Sequence, residues 1–166
     1  REMLAKQDEY AQAICEEKMG ETVVLAEHQS VISVKGRCAE EELKYLRVPR
    51  ERLMADGVEI IKVSRGGGIA LHSPGVINCY TLLRPRPYLL GARLSEWIIE
   101  SLKSLGIKSS PLPYGSHDFK AYPEKYRGVW VGAKKIAVRG LKIGRVFKFG
   151  ISLNVCPENW LLNLIH

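Results

Sequence analysis

The hydrophobic and polar positions of this chain repeat with two periods, one typical of helices and one typical of strands. Residues 2–19 carry apolar side chains at helical spacing up to Gly20, which predicts a helix at the start of the chain. Residues 89–105 have the clearest helical pattern, with one broad apolar face that stops at Gly106. Shorter helical patterns cover residues 40–46, 50–56 and 157–165.

Short runs rich in β-branched residues predict strands between these helices. They cover residues 22–26, 31–34, 58–63, 75–83, 128–132, 135–141, 144–149 and 150–155. Residues 108–126 are rich in Pro, Ser, Tyr and Lys and predict an exposed loop. Strands alternating with two long helices predict an α/β chain of the α+β type, in which helices flank a mixed sheet.

The composition narrows the class of protein. The chain has 166 residues, 46% of them hydrophobic, so it can form a proper core, and we expect residues 1–166 to be a single domain. No apolar run approaches the roughly 18–20 residues of a membrane span, and no stretch resembles a secretory signal. Because the chain opens on Arg1, we expect its true start to be missing.

The cysteines and the charges argue against further classes. Four cysteines, at positions 15, 38, 79 and 156, form no CxxC pair and have no metal-like spacing with histidine. We therefore expect no metal and free thiols in a reducing cytosol, with a disulfide in an extracellular setting as the open alternative. Lys and Arg number 25 against 18 Asp and Glu, a net charge of +7. These cations are dispersed among acidic residues, which argues against a nucleic-acid partner.

A glycine-rich stretch between two predicted strands is the strongest candidate for a binding site. Residues 65–75 read Arg-Gly-Gly-Gly-Ile-Ala-Leu-His-Ser-Pro-Gly. Consecutive glycines cost conformational entropy, so a folded protein keeps them where φ is positive or where another group approaches the backbone closely. The stretch is either a tight connection between strands or a loop whose backbone lies against a ligand, with Arg65 and His72 at its ends.

Two later segments favour the ligand-binding interpretation. Residues 128–140 read Gly-Val-Trp-Val-Gly-Ala-Lys-Lys-Ile-Ala-Val-Arg-Gly, and residues 150–155 read Gly-Ile-Ser-Leu-Asn-Val. With the glycine loop and Glu27-His28, these segments resemble the lipoyl(octanoyl) transferases, the octanoyl-[acyl-carrier-protein]:protein N-octanoyltransferases of lipoate biosynthesis. That family carries Arg-Gly-Gly-x-x-Thr-Tyr-His-Gly-Pro-Gly, Gly-Val-Trp-Val, Lys-Ile-Ala and His-Gly-x-Ala-Leu-Asn in the same order.

The resemblance implies the biotin/lipoate protein ligase catalytic-domain fold and a set of substrate-binding residues. The glycine loop would hold the acyl chain and its thioester carbonyl through backbone contacts, and two strand segments would line a slot for the alkyl chain. The implied substrate-binding residues are Arg65, Gly66, Gly67, Gly68, Ile69, Ala70, Leu71, His72, Val138, Arg139, Gly140, Gly150, Ile151 and Ser152.

The resemblance also implies the catalytic chemistry. In the family, a cysteine of a Pro-Cys-Gly turn attacks the thioester, and the lysine of Lys-Ile-Ala lowers the pKa of that cysteine. The matching lysine here is Lys135, and Lys134 is expected to be its solvated neighbour. The cysteine is expected just after His166, so we expect a catalytic domain truncated at both ends. Cys156 lies about eleven positions too early to take its place.

The implied activity is transfer of an octanoyl group from acyl carrier protein, through a cysteine thioester, to a lysine of a lipoyl domain. The acceptors would be 2-oxoacid dehydrogenase complexes or the glycine cleavage H protein. No cofactor is expected, because the thioester already carries the activation energy. We expect a monomer without a membrane partner, in the cytoplasm, or in a mitochondrion or plastid of a eukaryote. Two alternatives stay open: a lipoate or biotin ligase-like enzyme that adenylates its acid, and a diverged acyl-binding protein without catalysis.

The chain departs from the family pattern at several positions. The departures are Ala70 and Leu71 for Thr-Tyr, Ser73 for Gly, Val76 for Gln, Phe149 for His, Ser152 for Ala, and the additional charge of Arg139. They bear on the substrate more than on the fold. His28 and His72 keep the positions of the family's histidines, and we expect His72 to line the site.

Overall fold

Two units make up the described part of this computed structural model, which covers residues 2–85, 92–111 and 128–165. The first unit combines the chain up to Pro85 with the chain from Gly140 onward. The second unit is formed by the intervening part of the sequence, up to Arg139. The helices are α1 (Glu2–Cys15), α2 (Ala39–Glu42), α3 (Arg50–Ala55), α4 (Ala92–Ser104) and α5 (Asn159–Leu162). The strands are β1 (Thr22–Ala26), β2 (Val31–Lys35), β3 (Glu59–Val63), β4 (Ala70–His72), β5 (Val76–Leu83), β6 (Val129–Val131), β7 (Lys134–Lys142) and β8 (Phe147–Asn154).

The first unit contains two sheets. In the antiparallel sheet, β5 lies between β1 and β8, and the end of β7 follows β8. In the other sheet, β2 is the middle strand, parallel to β3 and antiparallel to β4. Side chains of a strand alternate between its faces, so the register decides which residues meet. It places Asn78 opposite Ser152 and Tyr80 opposite Gly150 in one sheet, and Ser33 opposite Ala70 in the other.

Each sheet is anchored by its own apolar cluster. The middle strand of the mixed sheet contributes Ile32 and Val34, both fully buried, to a cluster that Leu53 of α3 and Leu161 of α5 complete. Helix α1 packs against the antiparallel sheet through Ile14, which meets Leu82 of β5. The helices are therefore held by the apolar faces that their sequence pattern predicted.

The second unit contains α4 and the hairpin of β6 and β7, and β7 continues from it into the first unit at Gly140. The register of the hairpin shifts between Val129 and Trp130 and places Trp130 opposite Lys135. Trp130 also exchanges two backbone hydrogen bonds with Ser110, at 2.9 and 2.8 Å. Ser110 is therefore tied to the hairpin, although it lies in the stretch predicted as an exposed loop.

The structure confirms the predicted mixed α/β class and most strand bounds to within one or two residues. The predicted helix 2–19 is too long: α1 ends at Cys15, because Glu17 takes a positive φ of 57° and Lys18 N–H closes back on Ala13 O. Residues 157–165 hold only the one-turn α5. The predicted helix 89–105 and the predicted loop 108–126 are described only in part, because residues 89–91 and 112–126 lie outside the described part of the chain.

Two strand predictions need correction. The predicted strands 144–149 and 150–155 are one strand, β8, because Gly150 continues in extended conformation opposite Tyr80. The three-residue strand β4 was not predicted, because the glycines before it hide its apolar alternation. Helices in the described ranges are all too short or too polar to cross a membrane.

The turn between β4 and β5 depends on Gly75. Its φ is +79°, and its N–H donates to Glu27 Oε1 at 2.8 Å. Its carbonyl accepts from the N–H groups of Val155 and Cys156, both at 3.0 Å. A Cβ at this position would overlap the carbonyl of Cys156, so a side chain is excluded by backbone as well as by φ.

Replacing Gly75 should therefore cost more stability than replacing a glycine with a similar backbone angle and open space around it. Gly57 provides the control, with a φ of +73° and no atom within 4 Å of the place that a Cβ would occupy. We expect Gly57→Ala to lower the free energy of unfolding by about 1–2 kcal/mol. Gly75→Ala should lower it by about 3 kcal/mol or more, because overpacking adds to the strain. Urea unfolding monitored by circular dichroism measures both, and equal losses would contradict the contact with Cys156.

Candidate active site

The glycine loop contains both kinds of position that the sequence led us to expect. Gly67 has a φ of +96°, a conformation that favours glycine. Gly66 lies against β7, where its N–H donates to Leu141 O at 2.6 Å and a Cβ would come within 3.1 Å of the same oxygen. Gly68 is exposed and has open space around it. The loop is thus fixed at one glycine and presents bare backbone at another.

Arg65 holds this loop from the inside. Its Nη1 donates to Gly68 O at 2.9 Å, and its Nη2 donates to Ser33 Oγ at 2.7 Å. Its Cδ lies where a side chain of Gly140 would be, at 2.9 Å from the position of a Cβ. Burial lowers the pKa of Arg65, but a guanidinium stays protonated at neutral pH. The positive charge is therefore directed at carbonyl and hydroxyl oxygens of the protein itself.

His72, at the end of the loop, is hydrogen-bonded through both ring nitrogens. Nε2 lies 3.0 Å from Ser33 Oγ, and Nδ1 lies 2.6 Å from Asn78 Oδ1 and 3.2 Å from Ser152 Oγ. Ser152 Oγ donates to the same Asn78 oxygen at 2.7 Å. A continuous set of polar contacts, which we call the polar bridge, thus runs from Arg65 through Ser33, His72 and Asn78 to Ser152.

Burial is the main cause that lowers the pKa of His72 to about 4; the hydrogen bond with Asn78 acts in the opposite direction, and the charges of His28 and Arg65 add smaller contributions to the lowering. The ring is therefore neutral at pH 7. Since one nitrogen of a neutral imidazole donates and the other accepts, its two partners must differ in the same way.

A second pair of rings lies beside the polar bridge. His28 Nε2 is 2.6 Å from the hydroxyl of Tyr80, and the rings of His28 and His72 meet edge to face with centroids 5.6 Å apart. Burial raises the pKa of Tyr80 to about 12, so its hydroxyl keeps its proton at neutral pH. The Tyr80 ring lies 3.6 Å from the position of a Cβ on Gly150, and glycine leaves that side of the ring uncovered.

In the second unit, Lys135 is partly buried and Lys134 is exposed. The Lys135 ammonium lies 5.9 Å from the centroid of the Trp130 ring. Its stem crosses Gly128, where a Cβ would come 2.5 Å from Lys135 Cε and would overlap a backbone carbonyl. Burial, and then the charge of Arg139, lower the pKa of Lys135 to about 8. The lysine is therefore close to its titration point at physiological pH.

The predicted site residues thus fall into three groups. The first unit brings together Arg65, Gly66, Gly67, Gly68, His72, Gly140, Gly150 and Ser152 around the loop and the polar bridge. Leu71 belongs to the apolar core and Ile69 packs against it, and Ala70 and Ile151 are also buried. Lys135, Val138 and Arg139 belong to the second unit. No cluster of metal-ligating side chains occurs among the residues that the structure describes.

Sequence analysis missed three residues of the site, Ser33, Asn78 and Tyr80. Ser33 and Asn78 are almost completely buried, at 2% and 0% exposure. Their signal was a polar residue inside an otherwise apolar strand, which requires a hydrogen-bonding partner when it is buried. The partner could not be identified without the register that joins positions far apart in the chain.

The neutral state of buried His72 predicts a pH dependence of stability. Between pH 6.5 and about 4 the unfolded chain binds a proton at this residue and the folded chain does not, so folding stability falls as the pH falls. The loss between pH 7 and 4.5 should be on the order of 2–3 kcal/mol. The difference in unfolding free energy between the native protein and His72→Gln should shrink by this amount. His28→Gln is the control. The difference in unfolding free energy between the native protein and this variant should change less with pH, because the His28 ring is less buried than the His72 ring. A difference that does not change with pH would contradict a neutral His72.

Comparison with known proteins identifies the family. Residues 1–164 match the lipoyl protein ligase A/B catalytic domain. The octanoyltransferase of Roseiflexus sp. (strain RS-1) is 34% identical over 149 residues, which cover 83% of this chain and 55% of that protein. The mitochondrial octanoyl-[acyl-carrier-protein]:protein N-octanoyltransferase of Danio rerio is 31% identical over 146 residues, covering 87% of this chain and 60% of that protein. The chain therefore spans somewhat more than half the length of these relatives.

Solved structures share the fold. A lipoate protein ligase of Thermoplasma acidophilum with bound lipoic acid superposes with a TM-score of 0.70 at 19% identity, covering 94% of this chain and 65% of that one. A lipoate-protein ligase A bound with ATP gives a TM-score of 0.70 at 17% identity, covering 95% and 64%. These likenesses confirm the predicted ligase-type fold. The chain belongs to the lipoyl protein ligase A/B catalytic domain family.

Proposed function

We propose that residues 1–166 are part of one octanoyltransferase catalytic domain and that the full protein acts in protein lipoylation. It would move an octanoyl group from acyl carrier protein to a lysine of a lipoyl domain. The observation that carries this proposal is the glycine loop, which Arg65 holds from the inside so that bare backbone faces outward at Gly68. Such a surface suits an uncharged acyl chain and its thioester carbonyl.

The similarity to octanoyltransferases supports the same activity. The two relatives of this name described above are 34% and 31% identical, whereas the two ligases of similar structure are 19% and 17% identical. An adenylating ligase has to neutralise a triphosphate. In the described part of the loop, the one arginine is committed to Gly68 O and Ser33 Oγ.

The reaction would proceed in two acyl transfers. A cysteine thiolate following His166 would attack the octanoyl thioester, form an acyl-enzyme thioester and release the carrier's thiol. The amine of the lipoyl-domain lysine would then attack that thioester, form an amide, lose its proton and release the cysteine. Each transfer exchanges one acyl bond for another, so the proposed reaction requires no oxidant, nucleotide or metal.

Lys135 would favour the thiolate form of this cysteine. With a pKa of about 8, Lys135 is mostly protonated at pH 7, and an ammonium close to a thiol lowers the pKa of that thiol. Packing against Gly128 and Trp130 fixes the side chain that carries the charge. The glycine loop with Gly140, and the segment from Gly150 to Ser152, would line the acyl chain.

The partners and the compartment belong to the same proposal. The donor would be octanoyl-acyl carrier protein, and the acceptors would be lipoyl domains of 2-oxoacid dehydrogenases or the glycine cleavage H protein. The net charge of +7 favours an acidic donor. We propose a monomer located in the cytoplasm, or in a mitochondrion or plastid of a eukaryote, since the Danio rerio relative is named as mitochondrial.

The first test is the intact mass of the full-length protein after incubation with octanoyl-acyl carrier protein. We expect the mass to increase by one octanoyl group, and hydroxylamine should remove it, because it cleaves thioesters. Substituting the cysteine that follows His166 should abolish the adduct. A full-length protein that shows no adduct and transfers no octanoyl group to a lipoyl domain would refute the proposal.

The second test compares two neighbouring lysines. Lys135→Ala should slow formation of the acyl-enzyme by about 100-fold or more at pH 7, because the charge that favours the thiolate is lost. Lys134→Ala is the matched control, since Lys134 is exposed on the same strand. It should change the rate by less than about twofold. Equal rates for the two variants would rule out the proposed role of Lys135.

The third test separates transfer from adenylation. Octanoyl transfer from the carrier protein should proceed at the same rate with and without ATP. Free octanoic or lipoic acid with ATP should give no modified lipoyl domain. Modification that requires ATP and the free acid would favour the ligase-type alternative instead.

A further inference from the structure

The two proposed substrate-binding segments of the first unit lie on different sheets. The glycine loop runs into β4 of the mixed sheet, and the segment from Gly150 to Ser152 lies on β8 of the antiparallel sheet. His72 connects the two. Its Nε2 contacts Ser33 of β2, in one sheet, and its Nδ1 contacts Asn78 of β5, in the other.

The chemistry of the partners decides which nitrogen of His72 carries the proton. Asn78 Nδ2 donates to Val76 O at 3.1 Å, which turns Asn78 Oδ1 toward His72. A carbonyl oxygen only accepts, so Nδ1 must be the donor. Nε2 is then an acceptor, and the Ser33 hydroxyl donates a hydrogen bond to it.

The same count shows why a second proton on the ring is unfavourable. Ser33 Oγ already accepts from Arg65 Nη2, so a protonated Nε2 would direct a second cationic donor at the same oxygen. The Ser33 hydroxyl would then have to turn to Ala70 O, at 3.3 Å. The neutral ring with a protonated Nδ1 satisfies every contact of the polar bridge.

Few alternatives exist for these groups if one contact is lost. Ser33, Asn78 and Ser152 are 2%, 0% and 7% exposed, so water cannot readily replace a missing partner. Arg65 depends on Ser33 for one of its two short side-chain hydrogen bonds. Loss of the Ser33 hydroxyl therefore increases the mobility of the guanidinium that donates to Gly68 O.

We propose that Ser33 and Asn78 are positioning residues that hold His72 in its Nδ1-protonated tautomer, that Ser152 is tied to the same Asn78 oxygen, and that these contacts fix the glycine loop relative to the segment from Gly150 to Ser152. His72 is a bridge between sheets in this arrangement and transfers no proton. The kinetic consequence rests on the proposed octanoyl transfer, whereas the tautomer and the order of the loop do not.

Ser33→Ala is the main variant, and Ser73→Ala is its matched control. Both serines are almost completely buried, but the Ser73 hydroxyl bonds to Pro74 O at 3.1 Å and takes no part in the polar bridge. We expect amide hydrogen exchange of residues 65–68 to be at least about tenfold faster in Ser33→Ala and unchanged in Ser73→Ala. Ser33→Thr keeps a hydroxyl and should restore slow exchange.

Nitrogen-15 NMR of labelled histidine measures the tautomer directly. At pH 7 the native protein should show His72 protonated at Nδ1 and bare at Nε2. Asn78→Leu removes the acceptor and should give a mixture of tautomers. Ser152→Ala leaves Asn78 Oδ1 in place and should keep the native tautomer. If Asn78→Leu fails to fold, the spectrum of the native protein still decides the tautomer. A native His72 protonated at Nε2 would overturn the proposal.

Kinetics connect the polar bridge to acyl transfer. Ser33→Ala should raise KM for octanoyl-acyl carrier protein by about fivefold or more and change kcat by less than about twofold, because it disturbs the positioning of the acyl chain. Ser73→Ala should change neither. If the native protein transfers no octanoyl group, the proposed function fails, and exchange and NMR still decide the role of the polar bridge. If the native protein is active but Ser33→Ala matches Ser73→Ala in exchange and in KM, the polar bridge has no positioning role.

Discussion

The inward orientation of one guanidinium is the constraint on which the candidate site depends. Arg65 spans from its own loop, at Gly68 O, to the middle strand of the mixed sheet, at Ser33 Oγ. A buried cation requires such oxygen partners, because its desolvation is otherwise expensive. Its stem also requires space, which Gly140 supplies by having no side chain. The glycine at position 140 is therefore explained by the arginine without reference to a ligand.

The second unit uses the same arrangement on a smaller scale. Lys135 crosses Gly128 as Arg65 crosses Gly140, and in both places a methyl group would collide with the aliphatic stem of the cation. The electrostatic results differ. Arg65 remains charged despite its burial, whereas the pKa of Lys135 is lowered to about 8, where a lysine can exchange its proton near neutral pH. Bare backbone thus positions one permanent cation and one titratable cation.

Sequence reasoning reached the class of fold, most strands, the glycine loop and the family, because these depend on local alternation and on motifs read in order. It failed where the decisive partner is distant in the chain. Ser33 and Asn78 acquire their meaning only when β2 and β5 face His72. Sequence reasoning also divided β8 into two strands at Gly150. A glycine is typical of a strand end, and its pairing with Tyr80 inside a continuous strand is visible only in the register. The end of α1 at Cys15 was missed because a positive φ at Glu17 has no sequence signature.

One oxygen of the polar bridge limits how this sequence can diverge. Asn78 Oδ1 accepts from both His72 and Ser152, and Asn78 and Ser152 lie where water has little access. Ser152 stands where the octanoyltransferase pattern has alanine, so its hydrogen bond to Asn78 is a departure of this chain from that pattern. The effects of substitutions at positions 78 and 152 should therefore be non-additive, because the two side chains share a hydrogen bond. The polar bridge thus couples substitutions on two strands that are neighbours in the sheet but distant in the chain.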